Sequence, residues 1–440
     1  MARHRRWLLA LLALLIVALV IAGTALFLLD RRGYLPKPVT LTAEVAPTEV
    51  PLPSPRPTQI ASPTPVVVIS PSATSALSVP EPTVTATVLP TRVVPPAEAI
   101  SFPEGFGISV FAAGLAQPRM MALGPDGQLY VAERGANRIV RLPDRDGDGI
   151  ADGVEVIADN LDAPSSLIFY RDGTLYVGET TRVLRLSAPD ASGVFQQRDV
   201  IIQGLPDGGH STRTVLFNPD WTTLFVSVGS SCNVCLERDE RRATVMRYAS
   251  DGSDGRIFAS GLRNAVGITF RPGTDELWAT NNGRDWLGDD QPPETIYLVR
   301  EGDDAGWPRC HSGRIIDPDF GSAGACEGAL APLVEMQAHS APLGLTFYDG
   351  EQFPEHYRGG MFVAFHGSWN RSNPTGYKVV WAPVDDGVPG VLEDFAAGWL
   401  KPNGTNWGRP VDVLTASDGA LFVSDDGAGI VYRIFYAETR

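Results

Sequence analysis

The residues best suited to proton chemistry lie in the segment GHSTR, residues 209–213. An imidazole that is neutral near pH 7 is a fit general base, and a guanidinium three residues away lowers its pKa. His210 can equally be a hydrogen-bonded structural histidine. A second segment, GLRN at 261–264, contains Arg263, whose planar guanidinium suits a carboxylate partner. The two segments predict a proton acceptor and a binding group for a carboxylate.

Acidic residues between 144 and 155 have the spacing of a calcium-binding loop, with a glycine at the sixth position. Hard oxygen ligands at this spacing wrap one cation. The alternative is an acidic, glycine-rich hairpin turn. Because the whole spacing matches, we expect a structural calcium site in a loop between two repeats. The expected ligands are Asp144, Asp146, Asp148, the carbonyl of Ile150, Asp152 and Glu155.

Four cysteines occur in the chain, at positions 232, 235, 310 and 326. The CxxC spacing of the first two could indicate a redox or zinc site. A second CxxC motif is missing, however, and the domain that carries the cysteines is predicted to be exported. Disulfides persist in such oxidising compartments. We therefore predict the pairs Cys232–Cys235 and Cys310–Cys326.

A pattern of an apolar stretch, a turn and a β-rich strand recurs six times after residue 101. The strands that follow the turns begin at Leu129, Leu175, Leu224, Leu277, Met361 and Leu421. Asp-Gly turns between short β-branched and aromatic strands are typical of hairpins. The intervals suit four-stranded blades, with one large insertion before the fifth. Residues 101–440 are therefore predicted to form an all-β, six-bladed β-propeller.

Superposing the repeats predicts which residues meet at one mouth of the central channel. Nine positions before each turn lie Ala116, Asp162, His210, Arg263, His339 and Gly408, and Arg409 follows the last of these. Residues that end the second strands, expected on the same face, are Glu133, Glu179, Asn281 and Asp425. Any one of them could be a solvated loop end. The convergence of two histidines and two arginines favours a ligand site.

The first hundred residues have a different composition. Residues 7–29 form an uncharged run long enough to cross a bilayer, so we expect residues 1–30 to be a membrane anchor with the repeats exported. A cleaved signal peptide is the alternative. Residues 31–100 are predicted to be a disordered linker, because residues 36–98 contain 15 Pro and 16 Ser or Thr. The net charge of -15 excludes nucleic-acid binding.

Six segments, taken together, carry a resemblance to a known family: GGHSTRT (208–214), GLRNAVGITF (261–270), GRDWLGDDQPPETIYLV (283–299), AHSAPLGLTFY (338–348), FVAFHGSWNRS (362–372) and GRPVDVLTASDGALFVSDD (408–426). They resemble the glucose/sorbosone dehydrogenases, six-bladed propellers that use pyrroloquinoline quinone (PQQ). The likeness is to the sorbosone and pyranose dehydrogenase branch. Glucose specificity is not carried over, because several family positions differ in this chain.

The resemblance implies that His210 is the catalytic base, which takes the proton of the substrate hydroxyl while hydride passes to the quinone. It implies a calcium ion beside the quinone, held partly by residues 282–285. The expected cofactor-binding residues are Arg213, Arg263, Asn264, His339, Arg371 and Arg409. His339 stands at a family threonine position, and Arg371 lies beside a family lysine position.

We therefore expect a membrane-anchored, extracytoplasmic dehydrogenase that uses PQQ and calcium to oxidise a sugar or a related polyol or aldehyde. The expected electron acceptor is a quinone or a cytochrome. Two other functions fit the same residues. One is a calcium-dependent propeller lactonase or hydrolase that uses the ring carboxylates and a histidine. The other is a non-catalytic binding propeller.

Overall fold

The structure, a computed structural model, describes residues 100–437. These residues form six four-stranded antiparallel sheets, which confirms the predicted all-β, six-bladed propeller. The predicted membrane anchor, and all but the last residue of the predicted linker, lie outside the described residues. Across the range 100–437, no helix is long and apolar enough to span a membrane.

The first half of the described chain supplies one separate strand and three blades. The strand is β1 (Phe106–Ala113). Blade 1 contains β2 (Pro118–Leu123), β3 (Leu129–Glu133), β4 (Arg138–Leu142) and β5 (Glu155–Ala158). Blade 2 contains β6 (Ser166–Phe169), β7 (Leu175–Gly178), β8 (Arg182–Pro189) and β9 (Phe195–Gln203). Blade 3 contains β10 (Val215–Phe217), β11 (Thr223–Val228), β12 (Thr244–Ala249) and β13 (Arg256–Ala259).

The second half supplies three blades and two small inserted hairpins. Blade 4 and its hairpin contain β14 (Ile268–Phe270), β15 (Leu277–Asn281), β16 (Glu294–Val299), β17 (Cys310–His311), β18 (Ile315–Ile316) and β19 (Val334–Met336). Blade 5 and its hairpin contain β20 (Pro342–Phe347), β21 (Met361–Phe365), β22 (Lys378–Ala382), β23 (Val384–Asp385), β24 (Val388–Pro389) and β25 (Glu393–Ala397). Blade 6 contains β26 (Pro410–Thr415), β27 (Leu421–Asp425) and β28 (Ile430–Tyr436). The described helices are two 3-10 turns, Arg134–Ala136 and Glu355–Tyr357.

The ring is closed by β1, which supplies the outer strand of blade 6 by pairing antiparallel with β28. Its register runs from Phe106 opposite Tyr436 to Ala113 opposite Ile430. Joining the two ends of the domain in one sheet ties the last blade to the first, so neither end leaves an open blade. The repeat pattern did not indicate this closing strand, because it precedes the first repeat.

The Asp-Gly turns form as their chemistry predicts. In the turn between β2 and β3, Gly127 adopts φ +75°, and the Asp126 carboxylate accepts the backbone N–H of Gln128 at 3.1 Å. Asp172 and Asp418 repeat this bond in blades 2 and 6, at 2.9 and 3.1 Å. A side chain that bonds the backbone two residues on, followed by a residue free to take positive φ, specifies a tight turn.

Four buried apolar residues, Met120, Val266, Leu343 and Val411, pack together in one small cluster. These residues lie on or just before the innermost strands of blades 1, 4, 5 and 6, and each is at most 5% exposed. Val266 and Leu343 of this cluster also line a polar cavity, so the cluster forms part of that cavity's wall. The inner strands thus present polar groups beside an apolar cluster.

Candidate active site

A polar cavity of about 210 Å³ lies where the innermost strands begin, as the superposed repeats predict. Its lining includes three arginines and three histidines, a concentration of basic side chains in a chain of net charge -15. The predicted residues that line it are His210, Arg263, Asn264, His339 and Arg409, together with Asn282, Gly283 and Asp285 of the expected calcium-binding segment. Residues of the lining that the sequence pattern did not single out as ligands are Arg119, His366, Asn370 and Glu294.

The protonation of His210 follows from its hydrogen bonds. Its Nδ1 atom lies 2.9 Å from the Oγ of Ser230 and 3.2 Å from the Ser230 carbonyl oxygen. The Ser230 hydroxyl donates its own proton to the Cys232 carbonyl at 2.7 Å, so both groups facing Nδ1 are acceptors. Nδ1 must therefore carry the proton, which leaves the lone pair of neutral His210 on Nε2.

Burial, reinforced by the positive charge of Arg263, lowers the pKa of His210 from 6.5 to about 4. At neutral pH the imidazole is therefore uncharged and able to accept a proton. Its backbone is held closely as well: a Cβ on Gly229 would lie 2.5 Å from the Cβ of His210. Glycine at that position is what allows the imidazole to sit against the adjacent strand end.

Arg263 is held by the loop between Cys232 and Cys235. Its Nε donates to the Asn233 carbonyl at 2.8 Å, and its Nη2 donates to the Asn233 side-chain oxygen and to Asp285, each at 3.0 Å. Its Nη1 donates to the Asn282 carbonyl at 3.3 Å. A guanidinium has five N–H groups, so, among the described residues, Arg263 has one left for a ligand. The carboxylate partner that Arg263 has in this structure is Asp285, and one N–H group alone cannot bind a ligand carboxylate in a bidentate manner.

Two other arginines have more free donors. Arg409 uses Nε and one Nη2 proton on the carbonyls of His366 and Gly367, at 3.2 and 3.3 Å. Arg119 donates one Nη1 proton to Asp426 at 2.7 Å, and its buried Nε has no partner within the described chain. A buried donor without a partner is rare in folded proteins and points to a ligand. Arg119 and Arg409 therefore fit an anionic group better than Arg263 does.

A half-buried His–Asp pair supports this side of the cavity. His366 Nε2 lies 2.8 Å from Asp426, whose other oxygen accepts from Arg119. Burial lowers the pKa of His366 to about 4, although the hydrogen bond and the charge of Asp426 act to raise it. Burial also opposes ionisation of Asp426, but the His366 hydrogen bond and Arg119 bring its pKa down to about 2. The pair is thus a neutral imidazole and an ionised carboxylate at neutral pH.

Asn370 gives a further sign that the cavity is built for a polar ligand. It lines the cavity, and both its side-chain nitrogen and oxygen are buried without a partner among the described residues. Leaving a buried amide unpaired costs about 1–3 kcal/mol per group. The carbonyl and carboxylate oxygens of a planar anion can accept hydrogen bonds from the Asn370 side-chain nitrogen, Arg119 and Arg409. The donor set therefore fits a tricarboxylate quinone such as PQQ.

Carboxylates face the same cavity beside Arg263. Glu294, at the start of β16, accepts the backbone N–H of Gly283 at 2.6 Å. Burial raises the pKa of Glu294 to about 7, against this hydrogen bond and the charge of Arg263. Asn282, Gly283 and Asp285 complete this part of the lining. It offers carboxylate and amide oxygens of the kind that calcium prefers.

The structure places two predicted cofactor residues outside the cavity lining. The Arg213 side chain is fully buried, and its guanidinium donates to the carbonyls of Pro206, His210 and Thr212 at 2.6–2.9 Å. Arg371 donates to the carbonyl oxygen of Asp289 and to the Asp290 carboxylate. Both arginines therefore brace loops around the site. His339 lines the cavity but donates from Nε2 to the Gly288 carbonyl at 2.8 Å.

The residues at the ends of the second strands prove to be structural, which corrects their predicted place in a ligand ring. Each is at most 7% exposed and accepts a backbone N–H where the innermost strand of its blade is entered. The four bonds run from Ala116 to Glu133, Asp162 to Glu179, Asn264 to Asn281 and Arg409 to Asp425, at 2.6–3.0 Å. None of these four acceptors lines the cavity, so a hydrolase that uses them as ligands has no support here.

The acidic loop lies inside blade 1, between β4 and β5, rather than between two blades. Asp144, Asp146 and Asp148 bring carboxylate oxygens within 4.8 Å of one another. The Ile150 N–H donates to Asp148 at 2.8 Å. Of the remaining predicted ligands, Asp152 accepts the N–H of Arg145 at 2.9 Å and Glu155 pairs with Arg141 and Arg145. Three of the five acidic residues are therefore gathered.

Both predicted disulfides are present, Cys232–Cys235 and Cys310–Cys326. The first closes the loop that holds Arg263 through Asn233. The second lies in the insertion of blade 4, where Cys310 begins β17. The cysteine spacing gave the pairing correctly, whereas the contact of Asn233 with Arg263 depends on the fold.

Comparison with known proteins places the domain in a family. The family model described as TrAA12-like matches residues 100–293 and 320–437. A PQQ-dependent pyranose dehydrogenase from Coprinopsis cinerea is 25% identical over 402 residues, which cover 75% of this chain and 54% of that relative. The match thus spans about half of the relative's length.

Two solved structures have the same fold. The holo form of the pyranose dehydrogenase PQQ domain from Coprinopsis cinerea superposes with a TM-score of 0.67 and 23% identity, covering 76% of this chain and 97% of that chain. The calcium structure of the Trichoderma reesei family AA12 enzyme superposes with a TM-score of 0.68 and 21% identity, covering 79% of this chain and 100% of that chain.

Proposed function

Because this chain belongs to the TrAA12-like family, we propose that its propeller is a PQQ-dependent dehydrogenase that oxidises a sugar. The observation that carries the proposal is the set of unpaired donors, Arg119 Nε and the Asn370 amide, in the same cavity as an imidazole whose pKa burial lowers to about 4. The relative from Coprinopsis cinerea is named as a PQQ-dependent pyranose dehydrogenase, which agrees with this donor set.

In the proposed reaction, Nε2 of His210 accepts the proton of the substrate hydroxyl. The hydrogen bonds of Nδ1 to Ser230 fix the ring and its tautomer, and burial keeps it neutral. PQQ supplies the acceptor for the hydride. Arg119, Arg409 and Asn370 hold the cofactor carboxylates and carbonyls. The His366–Asp426 pair orients Arg119 and does not itself exchange a proton at neutral pH.

We propose two calcium sites. One lies in the cavity, where Asn282, Asp285 and Glu294 offer oxygen ligands and where a cation would favour ionised Glu294. The other is the loop that begins at Asp144, where the cation would be bound by the gathered aspartates and would stabilise blade 1. The cavity ion would polarise the cofactor, and the loop ion would be structural.

We further propose that the propeller works outside the cytoplasm, with residues 1–30 as its membrane anchor and residues 31–100 as a linker. The support is the apolar run at 7–29 together with two disulfides, which persist in oxidising compartments. The electron acceptor would then be a membrane quinone or a cytochrome on the same side.

The test is reconstitution of the full chain, purified in detergent, with calcium and PQQ. Sugars and an artificial electron-accepting dye are then supplied. Dye reduction that requires PQQ and a sugar supports the proposal. Lactone hydrolysis with calcium alone would support a hydrolase, and PQQ binding without turnover of any sugar, polyol or aldehyde would support a binding propeller.

A further inference from the structure

Two tryptophans form an exposed pair at the edge of the cavity. Trp286 is 64% exposed and Trp369 is 66% exposed, and their ring centroids lie 5.0 Å apart at an interplanar angle of 87°. Trp369 lines the cavity, whereas Trp286 lies beyond its lining. An aromatic surface therefore runs from the cavity to the outside of the propeller. Exposed aromatic patches of this kind mark binding sites.

The loops that carry the pair are held by contacts with each other and with His339, which precedes β20. The Ser372 N–H donates to Asp289 at 3.0 Å, His339 donates to the Gly288 carbonyl at 2.8 Å, and Arg371 donates to the Asp289 carbonyl. Trp286 itself has φ +70°, a conformation that a bulky residue adopts only where the surroundings impose it. The backbone of the loop that carries Trp286 is thus pre-organised, which lowers the entropy cost of binding.

The chemistry of the cavity and of the pair together describes an amphipathic ligand. The cavity offers charged and amide groups, and the pair offers indole faces, whose negative π-cloud attracts polarised C–H groups. A pyranose has hydroxyls at its edge and a C–H face, so it matches both. Two indoles supply roughly 300–500 Å², well below the ~800 Å² per partner of a stable protein interface.

We propose that Trp286 and Trp369 form a stacking platform for a second pyranose ring, so that the preferred substrate is an oligosaccharide whose terminal ring enters the cavity. This inference rests on the proposed dehydrogenase function. Trp369 contacts the terminal ring at the cavity edge. Trp286 contacts the next ring, outside the cavity.

The test compares glucose with maltose and cellobiose in the full chain with PQQ and calcium. Trp286→Ala should raise KM for the disaccharides about tenfold and leave kcat and the KM for glucose nearly unchanged. Trp369→Ala should raise KM for all three sugars. Leu236→Ala is the matched control, because Leu236 is 60% exposed but does not line the cavity. Trp286→Phe should restore part of the affinity.

A second readout is independent of turnover: quenching of tryptophan fluorescence by each sugar in the protein without PQQ. Disaccharide-dependent quenching that Trp286→Ala removes supports the platform even if no dye is reduced, in which case the dehydrogenase proposal alone fails. Dye reduction with unchanged KM values in both alanine variants overturns the platform and leaves the dehydrogenase standing. Absence of both quenching and turnover also overturns the platform. So does a change in tryptophan fluorescence that only a protein partner, and none of the sugars, produces.

Discussion

The Nδ1 atom of His210 lies 2.9 Å from the Oγ atom of Ser230, which donates its own proton to the Cys232 carbonyl. The hydroxyl can therefore only accept from His210. This bond sets the tautomer of the imidazole and leaves Nε2 as the basic atom. Ser230 thus positions the proton acceptor without contacting the substrate itself.

Replacing the proton acceptor should separate chemistry from binding. We expect His210→Gln to lower kcat about 10²–10⁴-fold while PQQ still binds, because Arg119 and Arg409 remain. Ser230→Ala should cause a smaller loss, about tenfold, because the Ser230 carbonyl still accepts from Nδ1. Stopped-flow reduction of the bound cofactor measures both. Near-parental rates in His210→Gln would show that another histidine of the cavity is the base. His339→Gln would then be measured.

The lowered pKa of the half-buried His210 predicts a loss of stability in acid. Its pKa falls from 6.5 to about 4 on folding, so between these pH values the unfolded chain binds a proton that the folded chain does not. The free energy of unfolding should therefore fall as the pH is lowered, by up to about 1.4 kcal/mol per pH unit from this group.

Urea unfolding at pH 7, 6 and 5 would measure this loss in the parent and in His210→Gln. The variant should lose less stability over this range. Glu294 and Asp412, whose pKa values burial raises to about 7, act in the opposite direction in both proteins and cancel in the comparison. Identical pH dependence in the two proteins would contradict the neutral, buried imidazole.

The donors left free in the cavity predict how the arginines contribute to cofactor affinity. Arg409→Met should raise the PQQ dissociation constant about tenfold or more, because a charged hydrogen bond is worth about 1.5–3 kcal/mol. Any effect of Arg263→Met on PQQ affinity should arise mainly because the substitution releases Asp285 from its ion pair. Equilibrium titration with PQQ measures both, and the surface variant Arg198→Met is the control. Equal affinity in Arg409→Met and Arg198→Met would show that the carboxylates bind elsewhere.

The two disulfides should have different effects when removed. Cys232→Ala with Cys235→Ala frees Asn233, so Arg263 and Asp285 lose their shared partner and PQQ affinity should fall. Cys310→Ala with Cys326→Ala opens a loop of 16 residues and should lower stability by about 3 kcal/mol with less effect on affinity. Thermal unfolding and PQQ titration of both variants test this. The same loss of affinity in both would be evidence against a specific role for the first loop.

The loop that begins at Asp144 should contribute calcium-dependent stability. Chelation of calcium should lower the melting temperature of the parent by mass action. Asp144→Asn with Asp148→Asn should remove most of that shift, whereas Asp190→Asn, in another exposed turn, should not. Calorimetry with and without chelator measures the difference. A full shift in the double variant would assign the stabilising ion to the cavity instead.

Much of the architecture was predictable because it is local. The Asp-Gly turns and alternating strands are set by residues two to five positions apart, so six repeats identified six blades. The same periodicity placed His210, Arg263, His339 and Arg409 at one mouth of the channel. The cysteine count and spacing, together with the predicted export of the domain, indicated the two disulfides. These inferences need no knowledge of which side chains meet across blades.

The tertiary structure decided what each polar group is free to do. The hydrogen bonds of Arg263 are taken by Asn233 and Asp285, from two other loops, and Glu133 and its equivalents are taken by backbone N–H groups. Trp286 and Trp369 meet only because two blades adjoin. Whether a donor is free depends on every group within about 3 Å of it, and those groups come from segments far apart in sequence. The repeat pattern therefore located the site, but the fold alone selected its ligand-binding groups.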